Sequence, residues 1–275
     1  MHVLVCCKEP DRAQPLLQLL AQLSLRGPTA ITLLTVVGKR QAVTPAEPPR
    51  LPALPWPVRP KIRRGPVVPE ILAEIEEAGD LGLVVCGWRS PRASLGSTAK
   101  RLFRACPTDL LLARPSAGGL SRALICTGGE TPSLATLRSA AGILDTGEIE
   151  VSILHVMSQV AFSNASPHAD LVDSAETAMQ RGTREGMHLR QAIEVFASEE
   201  YGGEVLPVLR HGLVADEAVA ELHEGGYDLL VIGSLPPGRA RRWSDLLLED
   251  VGAEIAWRAP CSVLVIRPEP SSTSG

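Results

Sequence analysis

The stretch "GWRSPRASLGST" at residues 87–98 combines residue types that can bind phosphate. Its candidate phosphate-binding residues are Gly87, Gly96, Ser97 and Thr98. Glycine lets the backbone approach an anion closely, and the free amides of a helix N-terminus lie at the positive end of the helix dipole. One interpretation is a lone anion held here with Arg89 or Arg92. The other is an ordinary capped helix start.

Composition excludes several classes of partner. The net charge is −4 and aromatic residues make up 3% of the chain, so we expect no nucleic-acid binding. No apolar run approaches the ~18 residues that a membrane helix needs. The segment "MHVLVCCKEP" reaches Lys8 and Glu9 too early for the apolar part of a signal peptide. We therefore expect a cytoplasmic protein with no membrane partner.

The cysteine pattern gives no disulfide framework and no metal site. The six cysteines are Cys6, Cys7, Cys86, Cys106, Cys126 and Cys261. Most lie inside apolar runs and none forms a CxxC pair, which indicates small buried side chains in a reducing compartment. His155 likewise has no Asp, Glu or Cys at metal-ligand spacing, so we expect a satisfied, partly buried histidine. The other histidines look isolated.

The chain contains an internal repeat. Three pairs of segments match at an offset of 120 residues. They are residues 3–10 with 123–130, residues 31–38 with 151–158, and Gly27 with Gly147. Further on, residues 68–87 match residues 214–233 at an offset of 146, with the helix start of the second copy shifted by about one residue. The closing segments at 104–115 and 258–268 match at about 154.

Each copy alternates β-rich apolar runs with helical patterns. Leu16, Leu20 and Leu23 share a helix face that we expect to end at Gly27, and the second copy repeats the pattern before Gly147. The near-continuous apolar strands predict a parallel sheet covered by helices on both faces. The fold class is therefore α/β, with two tandem doubly wound domains, each with a parallel sheet, at residues 1–115 and 121–268.

The offset between matching segments increases along the chain, which places insertions in the second copy. A long helical stretch is predicted there around residues 175–198. At the matching place the first copy has a proline-rich segment, with seven prolines between Pro45 and Pro60. Proline lacks an amide donor and disfavours helix in the residue before it. We therefore expect an extended strap over the sheet instead of a second helix. Residues 116–121 form the predicted linker.

These segments resemble the universal stress protein family in its tandem form. The resemblance covers nearly all of both copies and is carried best by "AELHEGGYDLLVIGS" at 220–234 and "RAPCSVLVIRP" at 258–268. It implies an adenine nucleotide alpha hydrolase-like, Rossmann-like fold with a five-stranded parallel sheet in each domain. It also implies that ligands bind in the crevice at the carboxyl ends of the strands. Many members of the family bind ATP there.

The resemblance also implies a nucleotide-binding pattern, which the first copy keeps only in part. An acidic residue ends the first strand of that pattern, and the phosphates bind at G-x-x-G, nine further residues and G-[S/T]. Eight residues separate Gly87 from the Gly96-Ser97 pair, where the pattern has twelve. Cys7 or Lys8 stands where the acid would be.

The second copy departs from the same pattern at other positions. Its candidate residues are Gly128, Gly233 and Gly238. Glu249 and Asp250 stand in place of the Gly-Ser pair, and we interpret them as carboxylates at a helix start that satisfy its amides and repel phosphate. Thr127 takes the place of the strand-end acid.

The family order of strands, 3-2-1-4-5, generates two structural hypotheses. The apolar final strands, at 110–112 and 263–266, would be aggregation-prone edges if left unpaired, so we expect them to pair in an internal pseudo-dimer. A further homodimer is left open. Neighbouring first and fourth strands would place Cys7 facing Cys86, as a redox pair or as two inert buried thiols. Lys100, Arg101 and Arg104 are interpreted as a solvated helix face.

Two functions follow from the resemblance. The first is a non-enzymatic stress-response or regulatory protein with an unknown protein partner, no cofactor, and degenerate sites at the glycines and hydroxyls named above. The alternative is an ATP- or AMP-binding switch with at most slow ATPase activity. No G-x-S-x-G elbow, P-loop or G-x-G-x-x-G fingerprint indicates another chemistry.

Overall fold

The first copy of the repeat alternates strands and helices, as its apolar runs predict. The computed structural model describes residues 1–8, 13–24, 30–38, 56–87, 96–114, 119–128, 131–145, 147–158, 174–198, 201–237 and 243–267. In order, the elements of the first copy are β1 (His2–Cys7), α1 (Ala13–Leu20), β2 (Ala30–Val37), β3 (Val58–Arg64), α2 (Val67–Ala78), β4 (Leu81–Gly87), α3 (Ser97–Ala105) and β5 (Asp109–Ala113).

The second copy repeats this order and adds helices between its second and third strands. Its elements are β6 (Arg122–Cys126), α4 (Thr131–Leu144), β7 (Glu150–Ser158), α5 (Ala175–Arg181), α6 (Arg184–Ser198), β8 (Val205–Gly212), α7 (Val214–Gly225), β9 (Leu229–Gly233), α8 (Trp243–Arg258) and β10 (Ser262–Ile266). The predicted helical stretch at 175–198 is therefore two helices. Gly182, with φ 64°, ends the first, and the Thr183 hydroxyl accepts a hydrogen bond from the amide of Gly186 at the start of the second.

The described strands form one ten-stranded sheet in the order β3-β2-β1-β4-β5-β10-β9-β6-β7-β8. Each half has the predicted order 3-2-1-4-5, and its strands are all parallel. The halves meet where β5 and β10 pair antiparallel, with Leu111 opposite Leu264. This pairing confirms the internal pseudo-dimer.

Strand alternation gives the sheet two apolar cores, one on each face. Val3 and Val5 point to the core covered by α1, α4, α5 and α6, whereas Leu4 and Cys6 point to the core covered by α2, α3, α7 and α8. Each core runs through both copies, because the sheet is continuous across the β5–β10 pair. No described helix is long and apolar enough to cross a membrane.

Two positions in the first copy differ from the sequence prediction. Helix α1 ends at Leu20, although Leu23 is still buried, and Gly27 lies outside the described residues. Of the predicted strap only residues 56–60 are described, and the last three of these begin β3. Pro60 is tolerated there because β3 is an edge strand and needs hydrogen bonds on one side only. The domain boundaries stay a prediction.

Arginines at the ends of β5 and β10, of which Arg267 is buried and Arg114 partly buried, join the two copies in matching ways. The amide of Arg114 donates to Ser262 Oγ at 2.9 Å, and its guanidinium donates to the carbonyl of Pro260 at 2.8 Å. The amide of Arg267 donates to Asp109 Oδ1 at 2.7 Å, and its guanidinium donates to the carbonyl of Phe103. The contacts follow an approximate twofold axis between the copies.

The basic run on α3 also belongs to this interface. Lys100 Nζ lies 4.5 Å from the centre of the Trp257 ring on α8, and the Arg104 guanidinium lies 5.4 Å from it. Cations at this distance over an indole face are attracted to its π electrons. Arg101 and Arg104 are exposed, as the interpretation of a solvated face predicts, and Lys100 and Arg104 in addition contact the other copy.

At the two outer edges of the sheet, an arginine of the edge strand binds a row of glutamates on the next helix. Arg63 donates to Glu70 at 2.9 Å, to the buried Glu74 at 3.1 Å and to Glu77 at 2.7 Å. These hydrogen bonds lower the pKa of Glu77. The spacing of three and four residues places all three carboxylates on one face of α2.

The second copy repeats this cluster at the opposite edge. Arg210 donates to the buried Glu221 at 2.6 Å and to Glu224, and lies 3.7 Å from Glu217. Tyr227 adds a hydrogen bond to Glu221 at 2.8 Å. Each edge therefore ends in charged groups that are already paired, which protects it from pairing with other strands.

The interface carboxylate generates a prediction on pH. Burial raises the pKa of Asp109 from 3.8 to about 6, against the hydrogen bond and the charge of Arg267. The folded state therefore binds a proton more tightly than the unfolded state, and stability is lost as the pH rises from about 4 to 6. The loss amounts to at most about 3 kcal/mol, since one pKa unit corresponds to about 1.4 kcal/mol.

Asp109→Asn keeps the acceptor oxygen and removes the titration. We expect the stability of this variant not to decrease in this way between about pH 4 and 6. The measurement is the free energy of unfolding in urea at several pH values. Asp250→Asn, at an exposed site in the second copy, is the control and should follow the wild type. Parallel curves for wild type and Asp109→Asn would contradict the prediction.

Candidate functional site

In the first copy the predicted site residues meet at the carboxyl ends of the strands. A cavity of about 810 Å³ opens between β1, β2, β4 and the helices α1, α2 and α3. Its lining includes Lys8, Gly87, Gly96, Ser97 and Thr98. The structure thus brings together the four residues chosen from the loop motif. Arg89 and Arg92 lie outside the described residues, and anion binding stays a prediction.

The start of α3 is open towards this cavity. Gly96 is the N-cap, with φ −61° and ψ 159°, and has no side chain to accept from the first amides of the helix. No acidic residue lies in the first turn. A methyl group built on Gly96 would meet no atom within 4 Å, so neither space nor backbone conformation requires glycine here. Gly96 is thus the N-cap of an ordinary helix start that has no side-chain cap, and both interpretations of the loop stay open.

The glycine that ends the fourth strand has a packing role in both copies. A Cβ built on Gly87 would lie 3.3 Å from Leu16 of α1, and one on Gly233 would lie 2.4 Å from the Thr136 hydroxyl of α4. These two contacts occur at matching places, where the first helix crosses the fourth strand. The shared glycine therefore has a structural reason that needs no phosphate.

The cysteines of the first copy pair differently from the prediction. Cys6, and not Cys7, lies opposite Cys86 in the register of β1 and β4. Cys7 points to the other face of the sheet, since side chains alternate along a strand, and its thiol lies 3.9 Å from the Thr35 hydroxyl. The prediction that Cys7 faces Cys86 is wrong.

Burial keeps the thiols of this site neutral. Desolvation raises the pKa of Cys6 well above its ordinary value of 9 and the pKa of Cys86 to about 11. A thiol reacts as the thiolate, so both are poor nucleophiles at neutral pH. The structure therefore favours the interpretation of Cys6 and Cys86 as inert buried thiols.

In the second copy helix α8 replaces the loop and the open helix start. The helix begins at Trp243, so Glu249 and Asp250 lie in its interior and not at its N-terminus. The prediction that they cap a helix start is wrong. Residues 243–248, which precede the two carboxylates, contain no glycine or proline and are helical. Replacing the two carboxylates by Gly and Ser would weaken the helix and would not open a site.

The end of β6 is covered by a histidine from α6. His188 Nε2 lies 2.8 Å from the Thr127 hydroxyl, and both side chains are buried. His155 Nδ1 donates to the carbonyl of Thr127 at 3.2 Å, and the two imidazole rings are 5.2 Å apart. His155 is thus partly buried and satisfied, as predicted. The view of His188 as isolated is wrong, and no local pattern in the sequence indicated its position.

Other predicted residues of the second copy do not gather into a site. Gly128 follows Thr127 and is exposed, Gly233 packs against α4 as described, and Gly238 lies outside the described residues. Within the described ranges, no group of three or more His, Cys, Asp or Glu side chains could hold a metal ion.

The packing role of the strand-end glycine predicts an asymmetric response to alanine. Gly233→Ala should destabilise the protein by about 1–3 kcal/mol, because Thr136 is buried and its β-branched side chain cannot move away. Gly96→Ala should cost about 1 kcal/mol or less, because alanine is a poorer N-cap than glycine but its Cβ meets no neighbouring atom. Thermal or urea unfolding measures both. Adding Thr136→Ala to Gly233→Ala should recover part of the loss; if it recovers none, the steric explanation fails.

The histidine pair predicts sensitivity to acid. Burial lowers the pKa of His155 and of His188 below the ordinary 6.5, and for His188 the charge of His155 adds to the effect. Glu185 raises the pKa of His155, whereas Arg184 lowers the pKa of both. The folded state therefore binds these protons less tightly, so stability present above pH 6.5 is lost as the pH falls below it.

His188→Gln retains a group that can bond to the Thr127 hydroxyl but does not titrate. We expect it to lose less stability than the wild type between about pH 7.5 and 5.5, as measured by urea unfolding. His223→Gln, at an exposed position on α7, is the control. Equal acid sensitivity in all three proteins would refute the assignment to this pair.

Comparison with known proteins supports the resemblance seen in the sequence. The universal stress protein family model matches residues 119–267. A universal stress protein from Archaeoglobus fulgidus DSM 4304 superposes with a TM-score of 0.66 at 16% identity, covering 97% of this chain and 98% of that one. No curated protein matches significantly.

Two structures from Pseudomonas aeruginosa show the same two-copy fold. A putative universal stress protein of strain UCBPP-PA14 has a TM-score of 0.60 at 16% identity, covering 97% of this chain and 93% of that one. A functionally unknown protein of strain PAO1 has a TM-score of 0.61 at 16% identity, covering 97% and 92%. At this identity the likeness concerns the fold alone. Because the family match spans more than half of the chain, the protein belongs to the universal stress protein family.

Proposed function

We propose that this tandem universal stress protein acts in a stress response or in regulation without catalysing a reaction, and that neither copy binds ATP tightly. The observation that carries the proposal is helix α8 of the second copy, which runs through the place of the family's glycine pair. Anion binding at that place needs a glycine backbone and free helix amides, and a helix interior offers neither.

The end of β6 in the second copy supports the same proposal. The family pattern has an acidic residue there as an acceptor, but Thr127 is bonded to His188 and is 8% exposed. A ribose would have to displace this buried hydrogen bond. Losing it without replacement would cost about 1–3 kcal/mol.

The first copy keeps an open helix start but lacks the acceptor. Lys8 is exposed at the end of β1 and lines the cavity where the family has its acid. Lysine has only donors and cannot accept a hydrogen bond from a ribose hydroxyl. The loop between Gly87 and Gly96 is also four residues shorter than the family pattern.

We propose no catalysis because the candidate nucleophiles are either buried away from a substrate or protonated. Thr127 and His188 have the distance of a nucleophile and its base, but burial leaves 9% or less of either residue exposed to a substrate. The thiols Cys6 and Cys86 of the first copy are protonated, as their raised pKa values indicate.

Isothermal titration with MgATP tests the proposal. We expect no binding tighter than about 10 μM, which corresponds to roughly −7 kcal/mol. Native mass spectrometry of the freshly purified protein should find no ATP or AMP. Tighter binding, or a co-purified nucleotide at stoichiometric amount, would favour the nucleotide switch instead.

A substitution in the first copy separates the reasons for weak binding. Lys8→Asp restores an acceptor at the strand end on an exposed residue. If the missing acid is the main obstacle, MgATP affinity should rise in this variant and stay unchanged in Gly128→Asp, the matching position of the second copy. No gain in Lys8→Asp would identify the short loop as the obstacle.

A further inference from the structure

The deep part of the first-copy cavity is apolar. Leu34 and Ile71 line it and are at most 1% exposed, so they form its inner wall between the sheet and α2. Val36 and Val67 continue this surface towards the opening. The volume of about 810 Å³ lies in the range of small-molecule sites, whose walls are predominantly apolar.

The cysteine thiols in the wall of the cavity leave its interior apolar. Cys6, Cys7 and Cys86 line the cavity. Cys6 and Cys86 are held in the protonated form by burial, which raises the pKa of both. A neutral thiol is a weak hydrogen-bonding group and packs like a small apolar side chain. An adenine ring or a ribose would find few partners for its polar atoms here.

Polar groups line the same cavity only near its opening. Lys8 and Ser97 are exposed, and Thr98 is partly exposed beside them. The described lining residues include one cation and no carboxylate. The cavity therefore combines an apolar interior with a positively charged, hydroxyl-bearing mouth.

We propose that this cavity binds a medium-chain fatty carboxylate, with the alkyl chain against Leu34 and Ile71 and the carboxylate at Lys8, Ser97 and Thr98. The ammonium group and the two hydroxyls supply donors to the anion, and the alkyl chain buries apolar surface that is otherwise in contact with water. This inference rests on the proposed function, since it assigns a ligand class to a copy that does not bind ATP tightly.

The test compares three probes of equal chain length by isothermal titration of the full chain: decanoate, 1-decanol and decylamine. We expect decanoate to bind at least about tenfold more tightly than decylamine, because the cation would meet Lys8. Decanol should bind with intermediate affinity. Equal affinities for decanoate and decylamine would overturn the proposal.

Two substitutions locate the site. Lys8→Glu reverses the charge at the mouth on an exposed residue and should weaken decanoate at least about tenfold while leaving decanol unchanged. Arg138→Glu, an equal charge change at an exposed position of the second copy, is its control. Decanoate affinity that falls equally in both variants, or in neither, would overturn the proposal.

Val67→Trp tests the interior. Val67 is the first residue of α2, lines the cavity and is 43% exposed, so a larger side chain can enter the cavity without disrupting the core. It should weaken both decanoate and decanol at least about tenfold. Leu213→Trp, at the exposed residue that precedes α7, is the control and should bind both probes as the wild type does. Circular dichroism checks that each variant is folded.

The outcomes separate this inference from the proposed function. Absence of decanoate binding together with absence of MgATP binding overturns the ligand class and leaves the proposed function in place. MgATP that binds more tightly than about 10 μM and displaces decanoate overturns the proposed function and identifies the cavity as a nucleotide site. Decanoate binding that MgATP does not affect supports both.

Discussion

The antiparallel pairing of β5 with β10 is the interaction on which the rest of the structure depends. It converts two five-stranded sheets into one sheet and makes both apolar cores continuous through the two copies. Arg114 and Arg267 surround it with matching hydrogen bonds, and Trp257 packs against the cations of α3. Without this pairing each copy would expose an apolar edge strand, a form prone to aggregation.

The pairing of β5 with β10 covers one edge strand of each copy, and the two outer edge strands of the sheet are protected by charged residues. The central pairing leaves β3 and β8 as the outer strands of the sheet. Pro60 and Pro207 lie at equivalent positions of these two strands, as do Arg63 and Arg210. Arg63 and Arg210 each bind three glutamates on the helix that follows, so the outer edges are charged and already paired. The centre of the sheet is thus held by apolar strands, whereas its ends are held by ion pairs around a buried carboxylate.

The crevice at the carboxyl ends of the strands differs between the two copies, although both copies have the same fold. In the first copy α3 begins at Ser97, and the space in front of it is a cavity with an apolar wall. In the second copy α8 begins at Trp243, and the inserted helix α6 places His188 over the end of β6. Two copies with one fold therefore offer two different surfaces at the position where the family binds ligands, and in the first copy a cavity of about 810 Å³ lies there.

The sequence by itself determined the alternation of strands and helices and the internal repeat, because these depend on periodicity and on apolar runs, which are local. The strand order and the pairing of the final strands were predicted through the resemblance to the family. Tertiary structure alone decided that Cys6 rather than Cys7 lies opposite Cys86, because register fixes the partner of each strand residue. It also decided where α8 begins, that His188 reaches Thr127, and that Lys8, Ser97 and Leu34 line one cavity. Residues distant in the chain meet there through packing between elements, and no local pattern in the sequence records which side chains will meet.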